Sequence, residues 1–265
     1  DNIHIDTMSS PVKTQDAIRT TVNKRNFKNF GPALGYKHLF PKQGRELTAD
    51  FNYNTSSNSG SGDYTTQYYN TNGSILGDPA LQRLTSSGSS TYWTVQSDYT
   101  SPVGKGKFES GLRAAVRDNK NVNDNAAFDY DLNKFIIIPS ASSNYKYTDE
   151  VYAAYSTYSN KLGENFSYQL GLRAESSQYR GTLLSTGETF SNKYPIEFFP
   201  SVFVTQTLSP GQDLQLNYSR RINRPNFWQQ IPYYDVSDLL NIRVGNPGLK
   251  PEFTNSFELN YSKSL

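Results

Sequence analysis

The chain has 265 residues, no cysteine, 26 basic against 24 acidic side chains, and a mean hydropathy of -0.69. Charges spread this evenly leave no footprint for nucleic acid, and the missing thiols exclude disulfides and thiolate metal sites. No apolar run approaches the about 20 residues of a membrane-spanning helix, the longest being 135–138 before Pro139. The 20 Tyr and 15 Phe argue against simple disorder and, with Thr, Val and Ser, suit pleated strands.

In chain order, the opening DNIHIDTMSS lacks the charged start and apolar core of a signal peptide. Val12 to Phe27 alternates weakly and stands as either a tenth strand or a loop. Beyond it, tight turns alternate with long polar connections. Strands at 29–40 and 45–54 flank PKQGRE, those at 91–103 and 107–118 flank SPVGKGK, those at 145–160 and 165–180 flank KLGEN, and those at 196–208 and 213–222 flank LSPGQD. A ninth strand spans 252–262. The connections 55–90, 118–144, 181–194 and 223–250 are longer, and pieces such as 63–69 extend a strand upward. Short turns at one end and long loops at the other are the layout of an up-and-down outer-membrane barrel.

Residues 166–175, FSYQLGLRAE, define the faces. Phe166, Tyr168, Leu170, Leu172 and Ala174 interleave with Ser167, Gln169, Gly171, Arg173 and Glu175, the period of a strand with one apolar and one polar side. The apolar phase carries no charge in the clearest strands, whereas the opposite phase holds Glu46, Asp50, Glu109, Arg113, Arg117, Asp213 and Glu258. A soluble sandwich would keep charge out of its core in the same way, so segregation alone does not choose between lipid and protein. Strands of about ten residues, against a usual five or six, favour lipid. So do the aromatics near strand ends (Tyr36, Phe40, Tyr53, Tyr99, Phe108, Tyr179, Tyr218 and Tyr261), where interfacial girdles sit. The expected fold is all-β, an antiparallel up-and-down transmembrane β-barrel, present as a single partial barrel of about nine to twelve strands over 1–265.

The stretches LQLNYSRRINRPNFWQQIPYYD (214–235) and NIRVGNPGLKPEFTNSFELNYS (241–262) go beyond periodicity. They closely resemble the barrel of TonB-dependent outer-membrane receptors, particularly the group found in Bacteroidota. The matching residues are Tyr218-Ser219, Arg221, Arg224-Pro225, Phe227-Trp228, Gly245-Asn246-Pro247, Leu249 and Lys250-Pro251-Glu252. The local chemistry of Gly245 to Pro251 is that of a turn and strand re-entry, so a structural role outweighs direct ligand contact. Complete barrels of this kind have about 22 strands. With no plug domain, TonB-interacting segment or terminal aromatic strand, the chain reads as a barrel fragment that would not transport by itself.

Catalytic chemistry is not in view. His4 and His38 are the only histidines and have no metal-site spacing. The acid-rich 118–131 lacks a calcium-loop pattern, and Gly104 and Gly106 belong to a hairpin turn, not a phosphate cradle. No enzyme, metal or cofactor is expected. The resemblance implies import across the bacterial outer membrane of a metal chelate, glycan or peptide, with the TonB-ExbB-ExbD system acting through a plug, outer-membrane lipid around the wall and a surface lipoprotein as a further partner. Ligand contacts would fall on outer loops and upper lumen: Arg221, Arg224, Trp228, Tyr233, Tyr234, Asp235 and Arg243. A plugless channel or secretion-associated barrel shares the strand physics, and a soluble adhesin-like β-protein would need its apolar phase packed on a second sheet.

Spin labels at 170 and 169 of the full-length protein in lipid test the faces. Position 170 should be accessible to oxygen and 169 to a water-soluble nickel reagent; shielding of 170 from both would show packing against protein.

Overall fold

The computed structural model describes residues 2–9, 12–231, 234–235 and 243–264. Its elements are β1 (Asn2–Ser9), β2 (Val12–Phe30), β3 (Ala33–Leu39), β4 (Glu46–Asn70), β5 (Ala80–Val103), β6 (Gly106–Asp129), β7 (Lys134–Ile137), β8 (Ser143–Leu162), β9 (Phe166–Leu183), β10 (Thr189–Ser209), β11 (Gln212–Asn223), α1 (Phe227–Gln230), β12 (Tyr234–Asp235), β13 (Arg243–Val244) and β14 (Glu252–Lys263). One open antiparallel sheet runs β1-β2-β4-β5-β6-β8-β9-β10-β11-β14, with β3 added on β4 and β7 on β6. The four tight turns each place a glycine at positive φ, Gly44 at 77°, Gly104 at 59°, Gly163 at 68° and Gly211 at 75°. Any Cβ would be strained there.

The strands outrun their expected lengths. The Ser-, Thr-, Asn- and Gly-rich stretches after Tyr53 and before Thr91 continue the ladders of β4 and β5 out to Asn70 and Ala80. Val12 to Phe27, expected as a tenth strand or a loop, is strand. It belongs to β2, which pairs with 55–70 of β4, while β3 pairs with 46–52, so the two are halves of one wall strand. Pro32, which has no N–H, breaks the expected 29–40 strand, and its carbonyl still accepts from the Tyr53 amide at 3.0 Å. The further strand on the path is β1, in a segment whose sequence gave no expectation of one.

Within the band, register carries one phase from strand to strand. Phe108, Tyr158, Leu170, Val202, Tyr218 and Phe257 form one line, and Ala49, Ser97, Leu112, Ala154, Ala174 and Phe198 another. The burial order is inverted relative to a soluble protein: Phe257 is 74% exposed and Leu112 65%, whereas Glu175 is 7% exposed. An apolar face left open while a carboxylate on the other face is buried belongs in lipid. At about 3.3 Å per residue and 40–45° tilt, the climb from Leu162 to Tyr152 spans about 25 Å, the height of a barrel's apolar band.

Aromatics mark the band's edges. At the tight-turn end, the Arg45 Nε donates to the Tyr99 hydroxyl at 2.6 Å and its guanidinium lies 4.8 Å from the Phe40 ring, while His38 meets Phe40 edge-on at 4.5 Å. At the long-loop end, Tyr53, Trp93 and Val116 share a row, above which charged residues begin. Tyr179 is an exception to the girdle expectation: only 3% exposed, it belongs to an internal cluster on the polar face.

Leu172→Arg, near the middle of the band, should destabilise the barrel by about 2–4 kcal/mol in refolding titrations into lipid vesicles, with Gln169→Arg close to neutral.

Candidate functional site

The inner face is built by the phase opposite to the lipid phase. Gly111 on β6 leaves room for the Tyr155 ring of β8 to lie across it, since a Cβ there would come within 2.5 Å of the ring. The Tyr155 hydroxyl thereby reaches past β6 and donates to Asp98 on β5. One row up, Gln96, Arg113, Ala153 and Glu175 are aligned; above the aromatic row, so are Tyr92, Arg117, Asp149 and Tyr179.

Between these rows lies a pocket of about 240 Å³ lined by Tyr92, Arg113, Arg117, Asp149, Arg173, Glu175 and Arg224, with Ala115 and Val151 at its base. Four guanidiniums thus face two carboxylates, an excess of positive charge. Glu175 accepts from both Arg173 and Arg224, which is what allows a carboxylate to be buried there. Arg117 stacks over the Tyr92 ring at 4.9 Å. Burial pushes the Asp149 carboxyl up, opposed by the neighbouring Arg117 and Arg224. Arg113 has no ion pair among the described residues and is free to meet an anion.

Arg224 also ties a loop to this wall. It follows β11, and its Nε donates to the Ser177 hydroxyl at 2.9 Å. Downstream, Gln230 and Ile231 are 1% and 2% exposed, with the Gln230 amide donating to the Pro225 carbonyl. Ile231 enters a cluster with Tyr145, Tyr147, Tyr179, Leu183, Phe190 and Tyr194. The second arm runs beside the first: the Gly245 amide donates to the Ile231 carbonyl at 3.0 Å and the Asn246 amide to the Gln229 carbonyl at 2.7 Å. It hangs on the same aromatic wall, because the Tyr179 hydroxyl donates to the Pro247 carbonyl at 3.0 Å and the Asn192 amide and Tyr194 hydroxyl to the Leu249 carbonyl at 3.4 Å. Burial pushes the phenols of Tyr147 and Tyr194 well above their usual range, so they remain neutral. The residues read as a turn and re-entry device are therefore a loop anchor.

Of the expected ligand contacts, Arg224 lines the pocket. Arg221 is exposed on β11 and Arg243 exposed on β13, neither in the pocket. Trp228 falls in α1, Tyr234 and Asp235 in β12 opposite β13, and Tyr233 lies outside the described residues. Sequence reasoning placed Arg113, Arg117, Arg173 and Glu175 on the polar phase but did not bring them together, and it missed Tyr92 and Asp149. Cross-strand register, which a sequence does not print, is what assembles them.

Arg224→Ala removes charged hydrogen bonds to Glu175 and Ser177. Hydrogen exchange at the Gly245 and Asn246 amides should accelerate at least about tenfold, with the amides of β6 unchanged.

The sequence matches the outer membrane protein beta-barrel family over residues 38–265. No curated protein matches it. Among solved structures, the fold is similar to the copper transporter OprC, with a TM-score of 0.53 at 10% identity over 95% of this chain and 47% of that one. The siderophore receptor PiuA from Acinetobacter baumannii aligns with a TM-score of 0.48 at 11% identity (94% and 50% covered), and the ferric citrate transporter FecA with 0.46 at 11% (93% and 40% covered). The chain spans half or less of each of these proteins. With its inverted burial, long strands and short turns accounted for, the chain belongs to the outer membrane protein beta-barrel family, and its sheet is wall of a bacterial outer-membrane barrel.

Proposed function

We propose that this chain is the barrel wall of an outer-membrane receptor that imports a polar nutrient, a metal chelate, glycan or peptide. The ligand is captured among the outer loops, and a plug in the whole protein is moved by the TonB-ExbB-ExbD system; a surface lipoprotein is a further partner. The chain's work is binding and passage, not catalysis. The observation that carries this reading is the inner face. An open water-filled pore would need only a hydrated polar lining, whereas here a loop is fastened to the wall by Arg224, Tyr179 and Tyr194, above an arginine-lined pocket with charge to spare. Groups fixed on a rigid wall beside a loop are what a binding site requires.

The full-length protein in planar bilayers should be electrically silent, and cells should lose uptake of its nutrient when TonB is deleted. Arg113→Ala with Arg117→Ala should weaken nutrient binding by at least about tenfold without altering folding. A steady ohmic conductance, or uptake independent of TonB, would mark a passive channel instead.

A further inference from the structure

Above the row of Tyr53, Trp93 and Val116, the outer face turns basic. Register places Lys28, Ser57, Ser89, Lys120, Lys146 and Thr182 in one line. Lys120 and Lys146 are direct partners on β6 and β8, both exposed, and like charges in that relation repel. Three carboxylates of this face have partners other than these lysines. Asp118 accepts from the Thr148 hydroxyl at 2.7 Å, Asp124 from the Asn144 amide at 2.9 Å, and Glu150 is paired with Arg180 at 3.0 Å. Among the described residues neither lysine has an ion pair.

The two lysines border a depression of about 170 Å³ that also holds the hydroxyls of Ser89, Thr91 and Thr148, with Asp118 held by Thr148. With the Thr148 proton given to Asp118, two ammonium groups and the hydroxyls of Ser89 and Thr91 remain as a donor set for a tetrahedral oxyanion. The same strands, β5, β6 and β8, border a groove of about 540 Å³ lower on the apolar face, between Val95, Leu112, Ala114, Tyr152 and Ala154, with Ala174 and Ile196 beyond. From Lys120 to Ala114 is about 20 Å along the strand and about 14 Å along the membrane normal at 45° tilt, and lysine side chains reaching downward shorten that gap.

We propose that this is a binding site for a phosphate-bearing lipid of the outer leaflet, its phosphate between Lys120 and Lys146 and a hydrocarbon chain in the groove below. Two ammonium groups against the single carboxylate of Asp118 leave the depression net positive, which selects phosphate, and the groove on the same strands selects lipid over free phosphate. The site is on the opposite face from the pocket and is independent of what the receptor imports.

The test uses the full-length protein in detergent with fluorescent phosphatidic acid, phosphatidylcholine of the same chains, and inorganic phosphate as competitor. Phosphatidic acid should bind roughly tenfold more tightly than phosphatidylcholine, and Lys120→Gln with Lys146→Gln should abolish that preference. Ala114→Phe, which fills the groove, should weaken phosphatidic acid severalfold, while Lys193→Gln, on the same face opposite Gln178, should change it by less than about twofold. Heat-modifiable gel migration verifies that each variant is folded, and the single variants Lys120→Gln and Lys146→Gln serve if the double variant is not. Equal binding of the two lipids, or indifference to the lysine variants, would overturn the proposal. Displacement of phosphatidic acid by inorganic phosphate at equal concentration would reduce the site to an anion site and overturn the lipid assignment.

Discussion

Within hydrocarbon no backbone amide can be left to water, and everything else in this chain follows from that requirement. Paired strands satisfy it only if the ladder is continuous, and from β4 to β9 the register runs without a shift. A continuous ladder fixes the phase, because slipping one residue would exchange the two faces of a strand. Leu112 and Leu170 face lipid, then, for the same reason that Arg113 and Gln169 face inward. Interruptions fall where water or another donor takes over. Pro32 lies at the level of Tyr53, and the register shift between Tyr194 and Glu197 lies just above the apolar band. Pro200 is within the band; there the ladder to β11 ends at Ser201, and the Arg220 guanidinium donates to the Phe198 carbonyl at 3.2 Å.

The inner face has the opposite problem, since its charges must be held in place without being neutralised completely. Glu175 shows how. One buried carboxylate orders two arginines, one from its own strand and one from the loop after β11, so a single acidic residue both shapes the pocket and fastens the loop. The aromatic cluster completes the arrangement. Tyr179 and Tyr194 are apolar along their rings, which cover Ile231, and polar at their tips, which serve the carbonyls of Pro247 and Leu249. The described arms of the loop are thereby given a defined course.

What the sequence made legible was whatever repeats locally. The alternation in FSYQLGLRAE and the glycines of the tight turns are local signals, and they yielded the strand pairs and the lipid phase. Apart from 63–69 of β4, the upper parts of β4, β5 and β6 were not legible as strand, because with water on both sides their Ser, Thr, Asn and Gly need not alternate with apolar residues. Tyr179 sits near the top of β9 like a girdle aromatic, and only the return of the chain at Pro247 shows that it points at a loop. The pocket was illegible for a related reason: Tyr92, Arg117 and Asp149 are far apart in sequence, and neighbours only through two registers.

The two ends of the band treat cations differently, and the difference bears on what surrounds the wall. Near the tight turns several cations, those of the inner face among them, have partners within the protein. Lys37 pairs with Glu46 at 2.8 Å, Lys107 with Glu109 at 2.6 Å, and Lys42 donates to the Pro102 carbonyl at 2.8 Å. Exposed pairs of this kind add little stability. At the long-loop end the acids are engaged by Thr148, Asn144 and Arg180, and among the described residues Lys120 and Lys146 form no ion pair, with Asp118 as the one carboxylate in their depression. Repulsion between Lys120 and Lys146 would be relieved by moving either residue one position along its strand. That they stay opposed, over a depression lined with hydroxyls, is accounted for by an anion that comes from the membrane.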